Sequence, residues 1–232
     1  MTTVLLPPFP FDHRLWGDVT PLLPGSVVAV DYQIPEGQPS MAALARSVWQ
    51  QLPENSVPTL VGISLGGYVA LEMLRQRPIA ALALVDTKVS ADTDEGRVTR
   101  ERLALSMEQH GALGIYAEQA LPALLGEYTR TNRPDTVRKV GEWIRDADPR
   151  AVAWLARAMA GRPDSAPDLA AFDGPVLIIR GEQDTISTET DLAAMIACAP
   201  SATVVTINNC GHLPPVEDVQ ATAVALSSWD YL

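Results

Sequence analysis

Apolar residues gather in short unbroken runs over the first third of the chain and again near its end. Thr3–Phe9 (TVLLPPF), Ser26–Tyr32 (SVVAVDY), Pro58–Ile63 (PTLVGI) and Ile79–Thr87 (IAALALVDT) form the first group. Pro175–Asp184 (PVLIIRGEQD) and Ala202–Asn209 (ATVVTINN) form the second. Few polar positions interrupt these runs. Near-continuous stretches of Val, Ile, Leu and Ala predict strands buried on both faces of a parallel sheet. Between them the apolar period lengthens to that of a helix, over Ser40–Leu52, Leu65–Arg77, Glu189–Cys198 and Asp218–Ser227. Ser40 is placed to cap the first of these. Strands alternating with helices predict an α/β fold: a six-stranded, mainly parallel sheet flanked by helices and joined by right-handed crossovers.

The alternation breaks once. Residues 91–163 carry no strand pattern, only helical stretches rich in Ala, Leu, Arg and Glu. Gly96–His110, Leu113–Leu121, Pro134–Ala147 and Arg150–Gly161 are the expected helices. This predicts a core made of residues 1–90 and 164–232, with a helical cap (91–163) inserted between two strands. A plain helical layer on one sheet face is the alternative. Gly161–Leu169 (GRPDSAPDL), dense in Pro and Asp, is the expected hinge or linker.

Charge narrows the class of partner. A formal net charge of −11 argues against nucleic acid and anionic membrane surfaces, both of which call for basic patches. No apolar run approaches the ~20 residues of a membrane span, and the N-terminus lacks the basic start of a secretory signal. A cytoplasmic protein acting on a small molecule is the expectation. Cys198 and Cys210 form neither a disulfide framework nor a metal-type pair, and buried thiols are expected.

The candidate chemistry starts at Gly62–Gly67 (GISLGG). Here an apolar strand ends, one serine stands among three glycines, and a helix begins. Ligands of parallel sheets gather at the carboxyl ends of the strands. A tight strand–turn–helix there exposes the Ser64 hydroxyl, and side chains at positions 62 and 66 would collide with the neighbouring strand and helix. The turn also aims the Leu65 amide and the positive helix end at an oxyanion beside Ser64. No Gly-Lys-Ser/Thr follows, so this is not a phosphate loop.

A serine nucleophile needs a base. The chain has three histidines. His13 lies in the first loop and His110 in the presumed cap, whereas His212 directly follows the last strand. The base in turn needs an acid to fix its tautomer. Asp184 ends the preceding strand; Asp86, after the fourth strand, competes with it. Asp184 equally suits a turn-capping role with Thr185 and Ser187.

The order Ser64, Asp184, His212 resembles that of the α/β-hydrolase superfamily. GISLGG is similar to its nucleophile elbow, GEQD to its acid loop and GHLPPVED to its histidine loop. The likeness covers nearly the whole chain and is weakest in the cap. Capped esterases and lactonases come nearest, including 3-oxoadipate enol-lactonases and carrier-protein methyl ester esterases. The usual leading antiparallel hairpin is absent, which implies a compact version of the fold.

The resemblance implies a serine hydrolase acting on a small ester, thioester or lactone through an acyl-enzyme, with no metal or organic cofactor. The same triad also resembles that of cofactor-free haloperoxidases and carbon–carbon bond hydrolases, and some members of the fold are low-turnover ligand-binding proteins. By resemblance Phe9 supplies the second oxyanion-hole amide beside that of Leu65. In the same loop Pro7-Pro8 replaces the His-Gly common among relatives. The loop Asp31–Ser40 (DYQIPEGQPS) diverges from relatives without catalytic meaning. Phe11, Trp16, Tyr68 and Leu213 are candidates for the pocket wall, though the aromatic residues suit ordinary core positions equally well.

Overall fold

The computed structural model describes residues 2–229 and 231. Six strands, β1 (Thr2–Leu6), β2 (Ser26–Ala29), β3 (Thr59–Ile63), β4 (Ala81–Val85), β5 (Val176–Gly181) and β6 (Thr203–Ile207), form one sheet in the order β2-β1-β3-β4-β5-β6. Every neighbouring pair is parallel. Each strand is shorter than its expected apolar run and falls within it, except that β1 starts one residue earlier, at Thr2. β1 stops at Leu6 because Pro7 and Pro8 have no N–H to continue the ladder.

The four inner strands are buried on both faces, as their continuous apolar sequences require. The two edge strands are not, which corrects the expectation for them. β2 and β6 are half-exposed, with Val28 and Val204 each 41% exposed. An edge strand is covered by neighbours on one side only, and apolar runs alone do not reveal strand order.

Helices α1 (Met41–Trp49), α2 (Leu65–Gln76), α8 (Ala166–Ala170) and α9 (Glu189–Cys198) pack over one sheet face against Val4, Leu6, Leu60, Leu82 and Ile178. The other face, carrying Leu5, Val61, Ile63, Ala83 and Ile179, is covered by 3-10 turns at His13–Trp16 and Thr20–Leu22, by the short α10 (Pro214–Glu217) and by α11 (Val219–Ser227). Ser40 caps α1 through its hydroxyl, accepting from Ala43 N at 3.2 Å.

Between β4 and β5, ahead of α8, come five helices: α3 (Asp94–His110), α4 (Leu113–Leu124), α5 (Glu127–Asn132), α6 (Pro134–Arg145) and α7 (Pro149–Ala160). α3 packs on α7 and α4 on α6. The expected linker, Gly161–Leu169, is instead anchored. It leads into α8, and Arg75 of α2 donates to Asp164 O at 2.8 Å, Ser165 Oγ at 3.1 Å and Asp168 Oδ2 at 2.5 Å. Its Pro and Asp residues start and cap a short helix rather than loosen the chain. No described helix is long and apolar enough to cross a membrane.

Candidate active site

Ser64 stands between β3 and α2 with φ 52° and ψ −113°, a positive φ that a non-glycine residue adopts only under constraint. Its amide donates to Val85 O at 3.0 Å, and its carbonyl accepts from Thr87 Oγ1 at 2.8 Å, so β4 pins the turn from both sides. The glycines are required by close approach. A Cβ on Gly62 would lie 2.2 Å from Gly66 O, and one on Gly66 would lie 2.2 Å from Leu6 O. Both contacts are to backbone, which cannot yield without moving β1 or α2.

His212 follows β6 and is buried. Its Nδ1 lies 2.9 Å from Asp184 Oδ2. Asp184, in the loop after β5, also accepts from Ile186 N at 2.8 Å and Ser187 N at 3.2 Å. It thus caps its own turn and holds the imidazole at once. Burial acts to raise the Asp184 carboxyl, but the hydrogen bond and charge of His212 and the Ile186 amide outweigh it and hold the group below the usual carboxylate range. Ser64 and His212 line one cavity.

Asp86 lies one residue past β4 with φ 40°, buried, and its Oδ1 accepts from Gly181 N at 2.9 Å. Its other oxygen has no partner among the described residues. Burial first, then the Asp184 charge, push it well above the usual range. It is Asp184, not Asp86, that contacts His212, and burial disfavours the charged form of Asp86. His13 is exposed on Asp31 at 2.8 Å, and His110 is exposed at the end of α3.

The family follows from a comparison of the chain as a whole. A profile of the alpha/beta hydrolase family matches residues 3–225. The chain belongs to this family. No curated protein matches it in sequence. A thermophilic esterase from Thermogutta terrifontis, solved with malate bound, is 32% identical, with a TM-score of 0.92 over 99% of this chain and 89% of that one. MenH from S. aureus is 19% identical, with a TM-score of 0.87 over 97% of this chain and 91% of that one. An enol-lactonase from Burkholderia xenovorans, also 19% identical, superposes with a TM-score of 0.85 over 99% of this chain and 90% of that one. Membership of this family supports hydrolase activity.

Of the residues expected at the pocket, Tyr68 lines the Ser64 cavity, as does Phe9. Phe11 faces a neighbouring crevice beside Trp143, while Trp16 and Leu213 are fully buried in the core on the α11 side of the sheet. Leu65 opens α2, where its amide has no helical partner to serve. The Pro7 carbonyl accepts from the Tyr32 hydroxyl at 2.9 Å, so the loop after β2 braces the loop bearing Phe9. The Phe9 ring meets Tyr116 edge-on, with centroids 5.9 Å apart.

Other contributors were not singled out in the sequence. Leu124 and Met159 of the inserted helices, with Lys88, Arg100, Tyr116 and Ile186, complete the cavity wall. Glu217 is buried and accepts from Gly126 N at 2.8 Å, Gly211 N at 2.9 Å and Leu213 N at 3.1 Å, tying the His212 loop to the insertion. His212 N donates to Leu124 O at 3.0 Å across the same seam. The only sequence signal for Glu217 is an acid two residues after the Pro214-Pro215 pair in the histidine loop. Cys198 is half-buried and Cys210 buried, both as free thiols, and burial raises both above the ordinary thiol range. Asp12, His13 and Asp31 have metal-like proximity but are already engaged: Asp31 holds His13, and Asp12 holds Arg14.

Proposed function

We propose that this protein is a serine hydrolase of small esters, thioesters or lactones, with Ser64 as nucleophile, His212 as base and Asp184 as the acid that orients it. The observation that carries this is the buried Asp184–His212 contact of 2.9 Å opening onto the cavity that holds Ser64 on its positive-φ turn. Asp184 accepts a hydrogen bond from the Nδ1–H of His212 and so holds the tautomer whose Nε2 is free to accept a proton. Ser64 Oγ attacks the carbonyl carbon as its proton passes to His212 Nε2. The developing oxyanion is received by the amides of Leu65 and Phe9. Collapse of the tetrahedral intermediate breaks the bond to the leaving oxygen or sulfur, which takes the proton from His212. Water then attacks the acyl-enzyme, gives its proton to His212, and the acid departs as that proton returns to Ser64.

Residues 91–163 act in this scheme as a cap, because Arg100, Tyr116, Leu124 and Met159 reach the cavity from α3, α4 and α7. The insertion thereby contributes to substrate choice together with the core residues of the same cavity. The esterase from Thermogutta terrifontis, similar over nearly the whole chain, favours ester chemistry within the family. A panel of p-nitrophenyl esters and lactones tests the assignment. Turnover that disappears in Ser64→Ala supports it, and turnover unaffected by that change overturns it.

A further inference from the structure

Acidic residues outnumber basic ones in this chain by 28 to 17, yet the cavity beside Ser64 is lined by two cations, Lys88 and Arg100, and by no described Asp or Glu. Lys88 follows the β4 turn and Arg100 comes from α3, so core and insertion each bring one charge to the same wall. The carboxylates that partner them lie behind that wall. Arg100 Nε is bonded to Asp92, and Asp92 is shared with the buried Arg162, whose Nη1 is 2.6 Å away. Arg162 directs its other donors to Ser90 O at 3.1 Å and Met159 O at 3.2 Å, and it stacks 4.3 Å from the Tyr68 ring centre. One carboxylate between two guanidiniums leaves surplus positive charge, carried by the guanidinium that reaches the cavity.

The remaining donors of Arg100 are poorly used. Nη1 has only the thioether of Met159 at 3.3 Å, and Nη2 has no partner among the described residues. Lys88 Nζ is equally loose, 3.5 Å from Ile186 O and 3.6 Å from Asp191 Oδ2. Asp191 itself is committed to the α9 cap, accepting from Thr188 N at 2.9 Å and Thr188 Oγ1 at 2.8 Å. Half-buried cations are normally paired or reach for solvent. Two of them with unspent donors on one small cavity form a receptor for an anion.

We infer that the substrate carries an anionic group, a carboxylate or one of like charge, held by Lys88 and Arg100 beside the scissile carbonyl. This rests on the serine-hydrolase reading of the same cavity. It narrows the substrate to acidic esters, thioesters or lactones, and it assigns the choice to one residue of the core and one of the insertion.

Matched esters differing in one group test it. Ethyl butyrate is neutral; monoethyl succinate puts a carboxylate on the acyl side, and O-butyrylglycolate puts it on the alcohol side. Wild-type enzyme is expected to favour at least one anionic ester over ethyl butyrate in kcat/KM by about 10- to 100-fold, the scale of a charge-assisted contact. Arg100→Gln and Lys88→Gln should each cut that ratio about tenfold or more, chiefly through KM, and Arg100→Lys should retain most of it. A merely structural role would slow all three esters together and leave the ratio intact. Equal or better use of ethyl butyrate by wild-type enzyme, or an unchanged ratio in both Gln variants, overturns the inference. Should no ester turn over, calorimetric binding of succinate reads the subsite alone: binding that is lost in Arg100→Gln supports it, and no binding to wild type refutes it. Failure of the hydrolase reading is distinct, appearing as absent fluorophosphonate labelling of Ser64.

Discussion

Replacing Asp184 by Asn exchanges one carboxylate oxygen for an amide nitrogen with almost no change of shape. In the native site Oδ2 serves His212 Nδ1 at 2.9 Å and Ser187 N at 3.2 Å, while Oδ1 serves Ile186 N at 2.8 Å. The amide has two orientations, and neither preserves all three contacts. With its nitrogen toward Ile186, two donors face each other, and a stranded buried N–H costs about 1–3 kcal/mol of stability. With its nitrogen toward His212, Nδ1 must accept, so Nε2 carries the proton and cannot take one from Ser64. Either way the negative charge that offsets an imidazolium is gone. The expected loss is about 10⁴ in kcat, equivalent to about 5 kcal/mol of barrier. Initial rates on p-nitrophenyl butyrate read this, with circular dichroism and melting temperature as folding controls. The matched Asp86→Asn variant should be far milder, since Asn can still accept from Gly181 N. If Asp86→Asn loses more activity than Asp184→Asn while both remain folded, the acid has been misassigned.

Three further outcomes follow from the same geometry. Because burial and the Asp184 charge raise the Asp86 pKa above its ordinary 3.8, ionisation costs the folded wild type stability as pH rises past that value, and a neutral Asn escapes the cost. The melting-temperature gain of Asp86→Asn over wild type should therefore widen between about pH 4 and about pH 8, and a gain that narrows contradicts the argument. Phe9→Pro and Phe9→Ala both lose the ring that meets Tyr116, but only the first loses the N–H. Phe9→Pro should thus be slower than Phe9→Ala by about 10²–10³ in kcat, and equal rates in folded variants place the second oxyanion donor elsewhere. Glu217→Gln sets an amide nitrogen among the three N–H donors of Gly126, Gly211 and Leu213. It should lower Tm by about 2–4 °C for each kcal/mol lost, and an unchanged Tm would show that the seam does not depend on the carboxylate.

The positive-φ turn at Ser64 was legible because its signal is local. Gly62 and Gly66 flank Ser64 within five positions, and each sits where an added Cβ would lie 2.2 Å from a backbone oxygen. Asp184 ends one apolar run and His212 lies three residues past another, and parallel topology brings the ends of such runs together. Strand order was not legible, so the half-exposed edges β2 and β6 read like inner strands. α5 and α8 are short, and Pro167 and Asp168 look the same whether they start a helix or form a linker. Trp16 and Leu213 lie near the catalytic loops in sequence, but their side chains point into the core, a direction that periodicity in irregular loops does not encode. Lys88 and Arg100 were hidden for a different reason. A lone cation on a helix or after a strand is usually solvated, and only the fold, which sets α3 beside the chain that follows β4, brings these two to one cavity.

The proposed role of Ser64 as activated nucleophile is open to covalent capture. A fluorophosphonate probe should label the native protein at Ser64, with the adduct located by peptide mass spectrometry. In folded Ser64→Ala protein, labelling should vanish and ester turnover should fall by about 10⁶, the scale of nucleophile loss in such triads. Labelling at full strength on another residue of that variant, with turnover retained, would contradict the account.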